Sequence, residues 1–163
     1  MKHLWASVDE VLDYALGEEQ KAVITYKAFA RQAGTADLRR VFEGFVEEET
    51  AHFKKLLRMK KSGNVSLPGD GLNSLPRPKG GKLPADQIVD AEGAYRFAIR
   101  AEKAAWELYW VFSEMADDLG IRRVFKVLAE EEKAHRAKLQ AEWKERQSPK
   151  GFLKGLVRLA LGR

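Results

Sequence analysis

Two stretches constrain this chain more than any other feature. "FVEEETAHFKKL" runs from Phe45 to Leu56, and "LAEEEKAHRAKL" runs from Leu128 to Leu139. Each carries three glutamates and a histidine inside an apolar pattern of helical period. On the first, Phe42, Phe45, Glu49, His52 and Leu56 follow the 3-4-3-4 spacing of a core-facing helix stripe. On the second, Phe125, Leu128, Glu132, His135 and Leu139 do the same. A fold that uses these helices must bury acids and imidazoles together.

The two stretches belong to a longer repeat. A shift of 83 residues aligns Ala15–Met59 with Ala98–Glu142 without a gap, and 17 of the 45 positions are identical. Matches include Glu19 with Glu102, Ala22 with Ala105, Tyr26 with Tyr109, Phe29 with Phe112 and His52 with His135. Duplication of a helix hairpin accounts for this. No segment alternates with period two, so no sheet is expected.

Turn and cap signals divide the halves. Ser7 and Glu10 form a capping-box pattern. Gly34 and Thr35 read as a C′ residue and an N-cap between the first two helices. Four of the five prolines lie between Gly63 and Pro84, the only evident linker. A third helix is predicted from near Ala85, with Trp106 and Trp110 as packing residues. A turn is predicted at Leu119 and Gly120, and a fourth helix to about Arg146. The predicted architecture is all-α: a ferritin-like four-helix bundle over 1–147, from hairpins 7–62 and 85–146 joined by a long crossover at 63–84. Ser148 and Pro149 read as the N-cap and first residue of a short basic amphipathic helix, 148–163.

Charge narrows the function. The net charge of +5 sits in the last 20 residues, leaving the other 143 formally neutral, so no nucleic-acid partner is expected. Lys150, Lys154 and Arg158 share one face of that tail. It suits docking on its own protein or a dimer mate, an anionic membrane surface, or a carrier. The chain has no cysteine, which excludes disulfides, thiolate metal sites and iron–sulfur clusters. No stretch is long and apolar enough to cross a membrane, and no secretory signal is evident, so a cytoplasmic or membrane-peripheral location is expected. His3 reads as a surface residue.

The glutamates fall in one layer. Glu19 and Glu49 each lie 15 residues from Gly34, roughly 22 Å along their helices at about 1.5 Å per residue. Glu102 and Glu132 are centred on residue 117 in the same way. Four buried carboxylates are prohibitive without counter-charge. Two divalent cations supply it, with Glu19, Glu49, His52, Glu102, Glu132 and His135 as ligands. Only Glu19, not Glu18, has a counterpart in the second half. Glu48 and Glu131 lie beside the ligands, while Glu47 and Glu130 should face solvent. Tyr26 and Tyr109 follow the first-helix and third-helix glutamates by seven residues. They read as hydroxyl donors to ligating carboxylates in the catalytic site, ahead of an electron-relay or plain packing role.

"EQKAVITY" with "EETAH", and "EKAAWELY" with "EEKAH", resemble the rubrerythrin branch of the ferritin-like superfamily over about residues 8–146. The resemblance implies a non-haem di-iron oxidoreductase: two iron ions bridged by carboxylate and oxo or hydroxo groups, with manganese or zinc as alternatives. It implies a peroxidase reducing hydrogen peroxide in oxidative stress, or a ferroxidase using dioxygen. Rubrerythrins carry a cysteine-ligated rubredoxin domain that delivers electrons. This chain has none, so an external electron-donor protein is implied. Ala105 and Ile99 stand where the branch has an additional glutamate, which leaves a symmetric site closer to the bacterioferritin pattern. A homodimer is the expected assembly. The other readings are a dimanganese catalase-like protein, a di-iron hydroxylase at a membrane surface, and a non-enzymatic helical adaptor.

Overall fold

The computed structural model describes residues 7–63, 90–116, 119–149 and 151. Within them the chain forms four helices and no strand: α1 (Val8–Gln32), α2 (Ala36–Ser62), α3 (Ala91–Met115) and α4 (Leu119–Gln147). The expected all-α four-helix bundle is what forms.

Local chemistry sets the helix ends. Ser7 Oγ accepts the Glu10 N–H at 3.1 Å, and Thr35 Oγ1 accepts the Leu38 N–H at 3.2 Å. Both satisfy amides that a helix start leaves without partners. Asp90 caps α3 by accepting from the Gly93 N–H at 2.7 Å. This corrects the expected start near Ala85, because Asp90 is still extended; residues 85–89 lie outside the described set. Leu119 and Gly120 are helical rather than a turn: α3 already ends at Ala116. Arg122 fixes that end from α4, donating to the Ala116 carbonyl through Nε at 3.1 Å and Nη2 at 2.9 Å. Gly34 follows the last turn of α1 as expected, but without a left-handed backbone. Among the described residues only Gly63, after α2, adopts positive φ, at 64°.

The apolar stripes pack as their spacing requires. Leu38, Phe42, Phe45, Glu49, His52 and Leu56 are the buried residues of α2. One apolar cluster joins the start of α1 (Val11, Leu12) and Leu56 near the end of α2 to Phe112 and Phe125. The other joins Tyr26 and Phe29 to Phe42, Phe45, Tyr95 and Leu139. The start of α1 therefore lies with the end of α3, and Gly63 and Asp90 stand at opposite ends of the bundle. The long crossover expected at 63–84 lies, Gly63 apart, outside the described residues. Each buried phenylalanine contributes on the order of 2 kcal/mol. Between the clusters, at mid-bundle, sits the layer of acids.

Of the two tryptophans expected to pack, Trp106 lies partly buried against the first cluster, but Trp110 is exposed. It stands one position past the buried Tyr109, which turns it away from the core. His3 and most of the C-terminal amphipathic segment lie outside the described residues. Ser148 Oγ does accept the Gly151 N–H at 3.0 Å, the start of the expected cap. No described helix is long and apolar enough to cross a membrane.

Candidate metal centre

All four helices deliver one charged group or two to the middle of the core. Glu19, Glu49, Glu102 and Glu132 are each no more than 2% exposed, and His52 and His135 no more than 9%. Their neighbours sort the triplets as expected. Glu18 turns outward to Lys21, at 2.6 Å, Glu130 turns toward Lys133, and Glu47 is exposed.

The six residues resolve into two overlapping sets. Glu19, Glu49, His52 and Glu132 bring ligand atoms within 4.8 Å of one another, and so do Glu49, Glu102, Glu132 and His135. Glu49 and Glu132 belong to both. His52 Nδ1 lies 2.9 Å from Glu132, 3.3 Å from Glu49 and 3.7 Å from Glu19. His135 Nδ1 lies 3.3 Å from Glu132, 3.4 Å from Glu102 and 3.6 Å from Glu49. Donors arranged around a cation at roughly 2.1 Å stand about 3 Å apart, which matches this spacing.

These approaches are close without being hydrogen bonds. Both histidine Nδ1 atoms, Glu19 Oε2, Glu102 Oε2, Glu49 Oε1 and both Glu132 oxygens are buried with no hydrogen-bond partner. An unsatisfied buried polar atom costs about 1–3 kcal/mol, more when charged. Seven such atoms at one point mark a set built for a ligand. Hard carboxylate oxygens with one imidazole per set suit a pair of first-row divalent metals. The residues present fit two such ions.

The remaining atoms are held by reciprocal bonds between the hairpins. Tyr26 donates to Glu102 Oε1, and Tyr109 donates to Glu19 Oε1. The sequence pointed to donation to a ligating carboxylate; the acceptor is the glutamate of the other hairpin, not the one on the same helix. On the opposite face His52 Nε2 lies 3.1 Å from Glu131, and His135 Nε2 lies 3.4 Å from Glu48. Lys55 Nζ reaches Glu131 at 2.5 Å, and Lys138 Nζ reaches Glu48 at 3.2 Å. The two imidazoles stack between these carboxylates, centroids 5.3 Å apart. Every one of these contacts maps onto its twin by the 83-residue shift.

Electrostatics split the six groups. Burial, reinforced by the charges of Glu49 and Glu132, holds Glu19 well above the usual carboxylate range. Burial also raises Glu102 well above it, against the opposing pull of the His135 imidazole. Burial pushes Glu49 and Glu132 upward as well, but the two imidazoles close beside them outweigh it. Glu49 ends lowered, and Glu132 at about 2. Burial would lower the histidines, yet the surrounding carboxylates raise His52 to about 10 and His135 to about 12. Without metal the two imidazolium ions stand against the lowered carboxylates of Glu49 and Glu132, while Glu19 and Glu102 are held toward their neutral form. Burial first, and then the facing carboxylates, hold both tyrosines well above their ordinary value, so they remain donors.

The sequence did not announce Lys55 and Lys138, which complete the histidine faces. Their only signal was their identity across the repeat.

A rubrerythrin family model matches residues 10–73. No curated protein matches the sequence. Among solved structures, a hypothetical protein from Pyrococcus furiosus superposes with a TM-score of 0.66 at 25% identity, over 86% of this chain and 90% of that one.

Proposed function

We propose that this chain, a ferritin-like bundle of the rubrerythrin group, is a di-iron oxidoreductase that reduces hydrogen peroxide or oxidises Fe(II) with dioxygen. The observation that carries the reading is the sharing of Glu49 and Glu132 between two otherwise separate ligand sets. Glu19 and His52 would complete one metal's ligands, and Glu102 and His135 the other's. What such a pair supplies when bound is the storage and release of two electrons.

The protein's own groups prepare the site for that chemistry. Each histidine turns Nδ1 inward and sets Nε2 3.1 Å from Glu131 or 3.4 Å from Glu48, the carboxylate to which a neutral, metal-bound ring would present its N–H. That fixes the tautomer and the ring plane. Each tyrosine hydroxyl occupies one oxygen of Glu19 or Glu102 and leaves the other oxygen for metal. The phenylalanines above and below the layer exclude water.

The absence of a carboxylate at Ala105 and Ile99 keeps the site two-fold, which supports ferroxidase chemistry beside peroxide reduction. Manganese or zinc suit the same donors. With no cysteine in the chain, the electrons of a peroxidase cycle would come from a separate donor protein, and a cytoplasmic homodimer is the setting we favour.

The test is metal content and reoxidation of the iron-loaded protein, wild type against Glu49→Ala/Glu132→Ala. About two irons per chain, lost in the double variant, are expected. Faster reoxidation by peroxide favours the peroxidase and faster reoxidation by dioxygen the ferroxidase. Wild-type protein that binds no iron after anaerobic loading overturns the proposal.

A further inference from the structure

The helices α1 and α3 belong to different hairpins and approach each other at few points. Between them lies a cavity of about 260 Å³ that reaches from the surface to Glu19 and Glu102. A water molecule takes about 30 Å³, and small-ligand pockets begin near ~300 Å³. The cavity is thus several times larger than peroxide or dioxygen needs. It approaches a size that suits a small organic molecule. Its inner end is the unpartnered carboxylate layer itself, with Glu19 Oε2 and Glu102 Oε2 buried and free of hydrogen bonds.

The walls break the symmetry that the metal ligands keep. Under the 83-residue shift the six ligands and their tyrosines, lysines and outer glutamates are identical. Most of the other cavity positions are not, Ala22 and Ala105 apart: Tyr14 corresponds to Phe97, Glu18 to Ala101, Lys21 to Ala104 and Thr25 to Leu108. Peroxide and dioxygen, each with two identical ends, have no use for two unlike walls, whereas a molecule with two unlike ends does. The α3 wall, Arg100 and Glu102 apart, is apolar, with three alanines between Phe97 and Leu108. The charged side chains lining the cavity away from the carboxylate layer are Lys21, Arg100 and Glu18, two cations against one acid.

We infer that the cleft between α1 and α3 binds a small amphipathic acid, its apolar body along Phe97 and Leu108 and its carboxylate at the mouth beside Lys21 and Arg100. Lys21 and Arg100 are exposed at the mouth, and the lining beyond them is mostly apolar, so the apolar end enters first. It comes to rest beside Glu19 and Glu102. The inference builds on the metal-centre reading in one respect: it gives that centre an organic neighbour.

The experiment uses the full chain loaded with zinc, which is redox-inert, and octanoate and octanol as probes, titrated by calorimetry. Octanoate is expected to bind at one site. Ala101→Phe, which fills the cleft, should weaken it at least tenfold with zinc content unchanged. Arg100→Gln should weaken octanoate about fivefold and leave octanol unaffected. Ala104→Leu serves the same purpose if Ala101→Phe does not fold. Octanoate binding that survives both plugged variants, or no binding at millimolar concentration, overturns the inference. Equal affinity for octanol overturns its acidic half. Failure of wild type to bind zinc counts against the metal centre instead, and the same titration on metal-free protein still judges the cleft.

Discussion

The hydroxyl of Tyr109 bonds to the carboxylate of Glu19, ninety positions earlier in the chain and on the other hairpin. Tyr26 and Glu102 repeat the relationship in reverse. Docking the hairpins and orienting the terminal carboxylates are therefore one event, because the same two bonds do both.

Replacing Tyr109 with phenylalanine keeps the ring packed and removes the donor. We expect metal-free protein to lose about 1–3 kcal/mol, the cost of stripping a partner from a buried carboxyl, and Tyr26→Phe to lose a similar amount. Urea denaturation of both variants checks this. An unchanged midpoint in either would mean that its bond contributes nothing.

Glu131 and Glu48 stand 3.1 and 3.4 Å from the outer nitrogens of His52 and His135, in position to orient the rings. Glu131→Ala should lower metal affinity about 10–100-fold without removing a ligand, and Glu48→Ala should match it. Competition against a chelator measures both. A large difference between the two would show that the repeat's symmetry does not extend to binding strength.

The charge state of the empty cluster sets a pH dependence. His52 and His135 are raised from 6.5 to about 10 and about 12, so their contribution is complete below pH 6.5 and is lost as the pH climbs through those values. Glu19 and Glu102 are also raised, and their contribution falls away above about pH 4.5. Glu132, lowered to about 2, works in the opposite direction: its contribution is present above 4.5 and lost as the pH falls through 2. Metal-free protein should thus weaken steadily from pH 5 to pH 9, most steeply above 6.5. Thermal unfolding across that range gives the answer, and a flat or rising profile would contradict the assignment.

The same charge state fixes a stoichiometry. Loading two zinc ions onto the metal-free protein near pH 7 must displace the protons of His52 and His135, about two per chain, and a further one for each of Glu19 and Glu102 that holds its proton at that pH. Calorimetry in buffers of differing ionisation enthalpy counts them. Release of fewer than about two would mean that the imidazoles were not both charged, and that the account of the empty site is wrong.

Much of this was written openly in the sequence. The stripes through Glu49 and His52, and through Glu132 and His135, gave burial directly, because helical period and side-chain polarity are both local properties. The equal distances of Glu19 and Glu49 from their turn gave the common layer. What stayed hidden depends on how the hairpins are rotated against each other. Nothing in the spacing of Tyr26 says that it reaches Glu102 rather than its own helix's Glu19. The start of α3 was missed because Asp90 sits after a segment rich in proline and glycine, where several residues offer equal caps. Trp110 was read as core because large aromatics usually are, although its place beside Tyr109 turns it outward. The cleft was invisible because alanines at Ala101 and Ala104 look like ordinary helix formers.

Each half of this molecule finishes the other. Both ligand sets draw on both hairpins, and so do the hydroxyl donors and the carboxylates behind the histidines. Neither hairpin holds a working half-site. A lone ancestral hairpin, meeting a copy of itself, would have assembled the same six groups around the same axis. The present chain is in that sense a homodimer spliced end to end. A mutation in one half is felt at both ligand sets, while the linkage frees the outer walls to diverge into a left and a right.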